Sequence, residues 1–101
     1  MYEREVEMAY VYILRCADGS YYTGCTTKPI EGRVAEHNVG IGDGYTKLRR
    51  PVALVWHLEL GHVRDAVERE RQIKGWSRRK KEALIAGDME RLKQADKRKQ
   101  V

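Results

Sequence analysis

Cysteine is scarce in this chain, with Cys16 and Cys25 the only two among 101 residues. They form no C-x-x-C pair of the zinc-binding kind. One pair is too few for a disulfide scaffold, so two ordinary reduced thiols are expected. Long apolar runs are also missing. No stretch approaches the roughly 20 residues that cross a bilayer, which argues against a membrane helix and a membrane partner. The residues up to Met8 are charged and carry no apolar h-region, so no secretory signal is expected and the cytoplasm is the expected compartment. Internal repeats and low-complexity tracts are absent as well. That leaves one domain with a modest core, a size that folds without staples.

What the chain does have is basic charge, unevenly placed. Residues 1–76 hold eleven Lys or Arg against eleven Asp or Glu. Residues 77–101 hold nine against four, so the whole net charge of +5 sits in the last quarter. A basic arm beside a neutral body fits a polyanion partner, because each cation that meets a phosphate releases a counterion. A solubilising tail fits it equally well.

Residues 1–8 read as a loose head, 9–87 as the domain and 88–101 as a polar tail forming a short, fraying helix. Ala9–Cys16 and Ser20–Thr26 are rich in β-branched and aromatic residues and read as two strands of a hairpin. Pro29 suits the first turn of a helix, with Thr27 as a possible cap, and Ile30, Val34 and His37 follow at helical spacing. Gly40–Gly44 ends that helix in a flexible loop. Pro51 opens a third strand, Val52–Leu60. Residues 63–75 form a helix with Val63, Ala66, Val67 and Ile73 on one face. Ser77 caps a further helix that Gly87 ends. The order β-β-α-β-α-α describes an α+β fold, a three-stranded, mostly antiparallel sheet flanked by helices.

Four features could carry chemistry. Tyr12 and Tyr22 lie on the hairpin. A two-residue Asp18-Gly19 turn would put them on opposite faces. A three-residue Ala17-Asp18-Gly19 loop with Gly19 left-handed pairs Cys16 with Ser20, sets Tyr12 opposite Gly24, and puts both hydroxyls on one face. Arg33 and His37 lie four apart on one helix, so a phosphate fork and a proton carrier share a face. Glu70 interrupts an apolar stripe between Val67 and Ile73. A carboxylate there needs a partner, either a divalent cation or a neighbouring Arg. Finally, Lys47, Arg49, Arg50, Lys74, Arg78, Arg79, Lys80 and Lys81 could grip phosphates, with Tyr45 or Trp76 stacking on a base. Charge runs are more often solvated faces. His57 and His62 receive no role.

These residues resemble a known family. Tyr10-Val11-Tyr12-Ile13-Leu14 followed by Tyr22-Thr23-Gly24 is similar to the paired signature of GIY-YIG nucleases. Arg33-Val34-Ala35-Glu36-His37 resembles that family's R-x-x-x-H helix, and Glu70-Arg71-Gln72-Ile73-Lys74 the stretch bearing its metal-binding glutamate. Gly40 to Pro51 and Ser77–Glu82 are similar to its small single-domain bacterial branch. The likeness covers residues 9 to 86. It departs from the pattern at Val11, where no glycine precedes Tyr12, and at Thr23, which replaces an isoleucine.

The resemblance implies a metal-dependent endonuclease, a hydrolase acting on nucleic acid, with DNA favoured over RNA and a place in repair or recombination. It implies that Tyr12, Tyr22, Arg33 and His37 surround the scissile phosphate and that Glu70 holds one Mg2+ or Mn2+. Tyr12 is then the expected general base, its phenol acidified by nearby positive charge, with covalent attack by a tyrosine as the lesser route. Targeting would fall to nucleic-acid shape or to a protein partner. Two other classes stay open: a catalytically weak binding module of the same fold, and an adaptor whose basic tail docks an acidic protein.

Overall fold

A computed structural model describes residues 8–99, with side chains through Ala95. Apart from Met8, the expected loose head lies outside the described residues. The elements are β1 (Ala9–Arg15), β2 (Tyr21–Thr26), α1 (Ile30–Asn38), α2 (Gly44–Lys47), β3 (Ala53–Leu60), α3 (Val63–Lys74), α4 (Arg78–Ala86) and α5 (Met89–Lys99). The sheet is antiparallel throughout, in the order β2-β1-β3.

Being central, β1 is covered on both faces, which explains its nearly unbroken apolar run. Val11 and Ile13 pack with Ala66 and Ile73 of α3, joined by Trp76, Leu84 and Ile85. Tyr12 and Leu14 point the other way and pack with Ile30 and Val34 of α1, Val52 and Leu54. Full burial of a Val, Leu or Ile side chain is worth about 1.5–3 kcal/mol, so β1 anchors both layers.

The hairpin closes through the three-residue loop. Cys16 N donates to Ser20 O at 2.8 Å, Gly19 N donates to Cys16 O at 2.9 Å, and Gly19 has φ +86°. Tyr12 therefore lies opposite Gly24 and Leu14 opposite Tyr22. One residue fewer in the loop would have sent Tyr22 to the other face.

Three local expectations need correction. Thr27 does not cap α1. Thr26 Oγ1 accepts from Lys28 N at 3.0 Å, and Pro29 occupies the N-cap position with no side-chain cap bond. The segment after Gly40 is not all loop. Asp43 caps the short helix α2 by accepting from Tyr45 N at 2.7 Å. The tail helix is not short, running eleven residues, with Ala95 buried. Strand β3 begins after Val52 because Asn38, at the end of α1, takes that backbone first. Asn38 Oδ1 accepts from Val52 N at 2.7 Å, and Asn38 Nδ2 donates to Val52 O at 2.9 Å. The bond pair pins the end of α1, next to His37, against the sheet.

Candidate active site

Tyr12 from β1, Tyr22 from β2, and Arg33 and His37 from α1 converge on the α1 face of the sheet. The Tyr12 hydroxyl lies 2.9 Å from His37 Nε2. The Tyr22 ring sits edge-on to the His37 ring, with centroids 5.4 Å apart, and its hydroxyl donates to Asp43 Oδ2 at 3.4 Å. The Arg33 guanidinium lies close enough for its charge to act on the Tyr12 hydroxyl, and it pairs with Glu36 at 2.7 Å. Tyr12 is 1% exposed and His37 wholly buried.

Gly24 makes this cluster possible. A Cβ at that position would meet the Tyr12 hydroxyl at 2.6 Å and Tyr22 Cε2 at 2.9 Å. Only hydrogen fits there, so the glycine of Tyr22-Thr23-Gly24 keeps the two phenols together.

The phenols are not acidified. Burial raises Tyr12 above its ordinary pKa, and the nearby Arg33 guanidinium, which acts to lower it, does not offset that. Burial, followed by the Asp43 carboxylate, raises Tyr22 much further. The cause lies in the packing of this face of the sheet against α1, which draws water away from both phenols. His37 moves the other way. Burial and then the Arg33 charge lower its pKa, so the imidazole is neutral near pH 7 and can accept a proton.

Glu70, on α3, is close enough that its charge acts on both Tyr12 and Cys25. Its side chain is 17% exposed, and its Oε2 pairs with Lys74 Nζ at 2.8 Å, so its basic neighbour is a lysine and not an arginine. Among the described residues no group of three or more His, Cys, Asp and Glu comes together as a metal cage. A lone hard carboxylate nevertheless suits magnesium or manganese. Such ions are held by one or two carboxylates and completed by water and substrate phosphate.

The basic residues divide into two sets. Arg49 pairs with Asp18 at 3.0 Å and stacks over the Tyr45 ring at 3.7 Å. Arg50 donates to Lys47 O and Asn38 O. Arg78 pairs with Glu82, donates to Gly19 O and lies over the Tyr21 ring. Lys80 is buried, its ammonium 4.1 Å from the Trp76 ring centroid. These four are engaged with neighbours of the fold, and Trp76 is partly buried against the core. Lys47 and Arg79 are exposed. Lys74 and Lys81 line a cleft of about 300 Å³ whose other walls include Tyr22, Asp43 and Tyr45. Tyr45 stacks with Tyr22 at 26° between planes, so an aromatic wall faces two ammonium groups beside the tyrosine cluster. Sequence reasoning missed Asn38, Asp43 and Thr46. Asp43 followed by an N-H donor at Tyr45 was the legible capping signal for the second of these.

No helix among the described residues is long and apolar enough to cross a membrane. Residues 8–83 match the family model described as the GIY-YIG catalytic domain. A UPF0213 protein of Staphylococcus saprophyticus is 49% identical over 77 residues, covering 76% of this chain and 93% of that one. A UPF0213 protein of Natronomonas pharaonis is 49% identical over 79 residues, covering 78% and 92%. The solution structure of a UPF0213 protein from Bacillus halodurans aligns with a TM-score of 0.52 at 41% identity, covering 80% of this chain and 85% of that one.

Proposed function

Because the chain belongs to the GIY-YIG catalytic domain family, a family typical of endonucleases, we propose that it is a divalent-metal-dependent nuclease. It hydrolyses phosphodiester bonds in nucleic acid, with DNA favoured over RNA, and serves repair or recombination in the cytoplasm, where its two free thiols stay reduced. The observation that carries this reading is the Tyr12 hydroxyl, set between a neutral His37 and the cationic Arg33.

A phenol with a raised pKa is a poor standing base. It works as a relay instead. Attacking water gives its proton to the Tyr12 oxygen while the Tyr12 hydrogen passes to His37 Nε2, so no free phenolate forms. Arg33 stabilises the negative charge that gathers on the phosphoryl oxygens. Tyr22, tied to Asp43, orients the nucleophile. Glu70 would hold Mg2+ or Mn2+, which on binding polarises the phosphate and stabilises the leaving oxygen. Substrate phosphate would then compete with Glu70 for Lys74, and the cleft carrying Lys74 and Lys81 would receive the flanking strand. Lys47, Arg79 and the tail would add electrostatic grip.

The test is a cleavage screen over single-stranded, duplex, branched and RNA substrates with magnesium or manganese, using wild type beside Glu70→Gln. Metal-dependent cutting that Glu70→Gln abolishes supports the proposal. Salt-sensitive binding with no cutting of any substrate would instead favour the binding module.

A further inference from the structure

The hydrogen bonds behind His37 fix its protonation pattern as well as its position. Thr46 Oγ1 lies 2.8 Å from His37 Nδ1 and 2.9 Å from the Asp43 carbonyl oxygen. A threonine hydroxyl has one hydrogen to give, while a carbonyl oxygen can only accept. The hydroxyl hydrogen therefore points at Asp43. Toward His37 the same oxygen can only accept, so Nδ1 must carry a hydrogen. A neutral imidazole has a single N–H, which leaves a lone pair on Nε2, and Nε2 faces the Tyr12 hydroxyl at 2.9 Å. The hydrogen of Tyr12 is thus directed into His37. Tyr12, His37 and Thr46 are each no more than 1% exposed, so solvent does not blur the pattern.

From this chain of bonds we infer that Thr46 is a positioning residue that selects the Nδ1–H tautomer of His37 and so aims Nε2 at the Tyr12 proton. Thr46 touches neither Tyr12 nor substrate in this role; it acts through the ring. The device is local to α2. Asp43 caps that helix, and its carbonyl orients the hydroxyl three residues later. The catalytic consequence rests on the nuclease reading, whereas the tautomer is a property of the resting protein.

Replacing Thr46 with Val keeps the shape and removes the acceptor. Nδ1–H would then be buried without a partner. With nothing holding the hydrogen on Nδ1, it shifts to Nε2, which then donates to the Tyr12 oxygen, turns the relay around and leaves the Tyr12 hydrogen without His37 as its acceptor.

The experiment is a long-range 1H–15N correlation spectrum of metal-free protein labelled at histidine, with His37 assigned by comparison with His37→Gln. Wild type and Thr46→Ser should show a protonated Nδ1 and an unprotonated Nε2. Thr46→Val should move protonation to Nε2. On a cleaved substrate, kcat of Thr46→Val should fall at least tenfold with KM within threefold, and Thr46→Ser should recover most of the loss. An Nε2–H tautomer in wild type overturns the inference, and that spectrum needs no variant of Thr46 to fold. A folded Thr46→Val with an unchanged tautomer overturns it too. The expected tautomers with no cleavage of any substrate by wild type would sink the nuclease reading and leave the Thr46 assignment standing.

Discussion

The Tyr12 hydroxyl and His37 Nε2 meet at 2.9 Å across 25 residues of sequence, joining the central strand to the first helix. Both groups are buried, so the contact holds the fold together as well as aligning a proton path. Removing the imidazole should therefore cost both properties. His37→Gln should lower cleavage by about 100-fold or more, the scale of a lost proton acceptor. It should also lower stability by about 1–3 kcal/mol through stranded partners, as read by urea denaturation.

The depressed pKa of His37 predicts two pH effects of one sign. An unfolded histidine titrates near about 6.5 and the folded one lower, so below that pH the unfolded chain binds more protons. The contribution of His37 to stability is complete above about pH 6.5 and falls away as pH drops toward the folded value. Cleavage should decline on the same side, because a protonated imidazole cannot accept from Tyr12. Melting curves from pH 8 to 5 should lose part of their slope in His37→Gln.

Gly24→Ala tests the close approach of the two phenols. Its Cβ would fall 2.6 Å from the Tyr12 hydroxyl, so one or both rings must move. Overpacking of this kind costs about 1–3 kcal/mol. Cleavage should fall more than tenfold in protein that still folds, measured by circular dichroism beside the nuclease assay.

Glu70→Gln separates a metal ligand from a structural ion pair. Lys74 is more than half exposed, so losing the pair should change stability by less than about 1 kcal/mol. Metal-dependent cleavage should collapse while nucleic-acid binding persists or tightens, since a negative charge beside the phosphate is gone. Thermal melts with and without magnesium check the first point, and fluorescence anisotropy the second. A variant that melts early yet still cuts would remove Glu70 from the site.

We propose residues 9–87 as the catalytic unit. A chain ending at Gly87 should fold and bind nucleic acid with a shallower salt dependence, because residues 88–101 carry five Lys or Arg against three Asp or Glu. An unchanged salt slope would leave the tail without a role in binding.

Much of the fold could be read from the sequence because its signals are local. The Gly19 turn sets the hairpin register, Ser77 and Gly87 bracket α4, and the apolar run of β1 marks a strand buried on both faces. The tyrosine cluster followed from that register. What escaped were bonds between distant segments: Asn38 to Val52, Thr46 to His37, and Arg78 to Gly19. No periodicity announces a hydroxyl placed behind a ring nitrogen. The basic residues could not be sorted from one another by sequence for a related reason. Whether an arginine meets a phosphate or a carbonyl depends on the loop folded beside it, as Arg49, Arg50 and Arg78 demonstrate. The expected acidification of Tyr12 failed because sequence spacing shows a nearby cation but not the depth of burial.

The most direct measurement is the single-turnover cleavage rate of Tyr12→Phe with saturating magnesium on the best substrate of wild type. The substitution keeps the ring and removes only the hydroxyl that bonds His37 within reach of the Arg33 charge. A loss of at least 100-fold in protein that still folds, with substrate affinity close to wild type, is the expected result. A rate within threefold of wild type would contradict it.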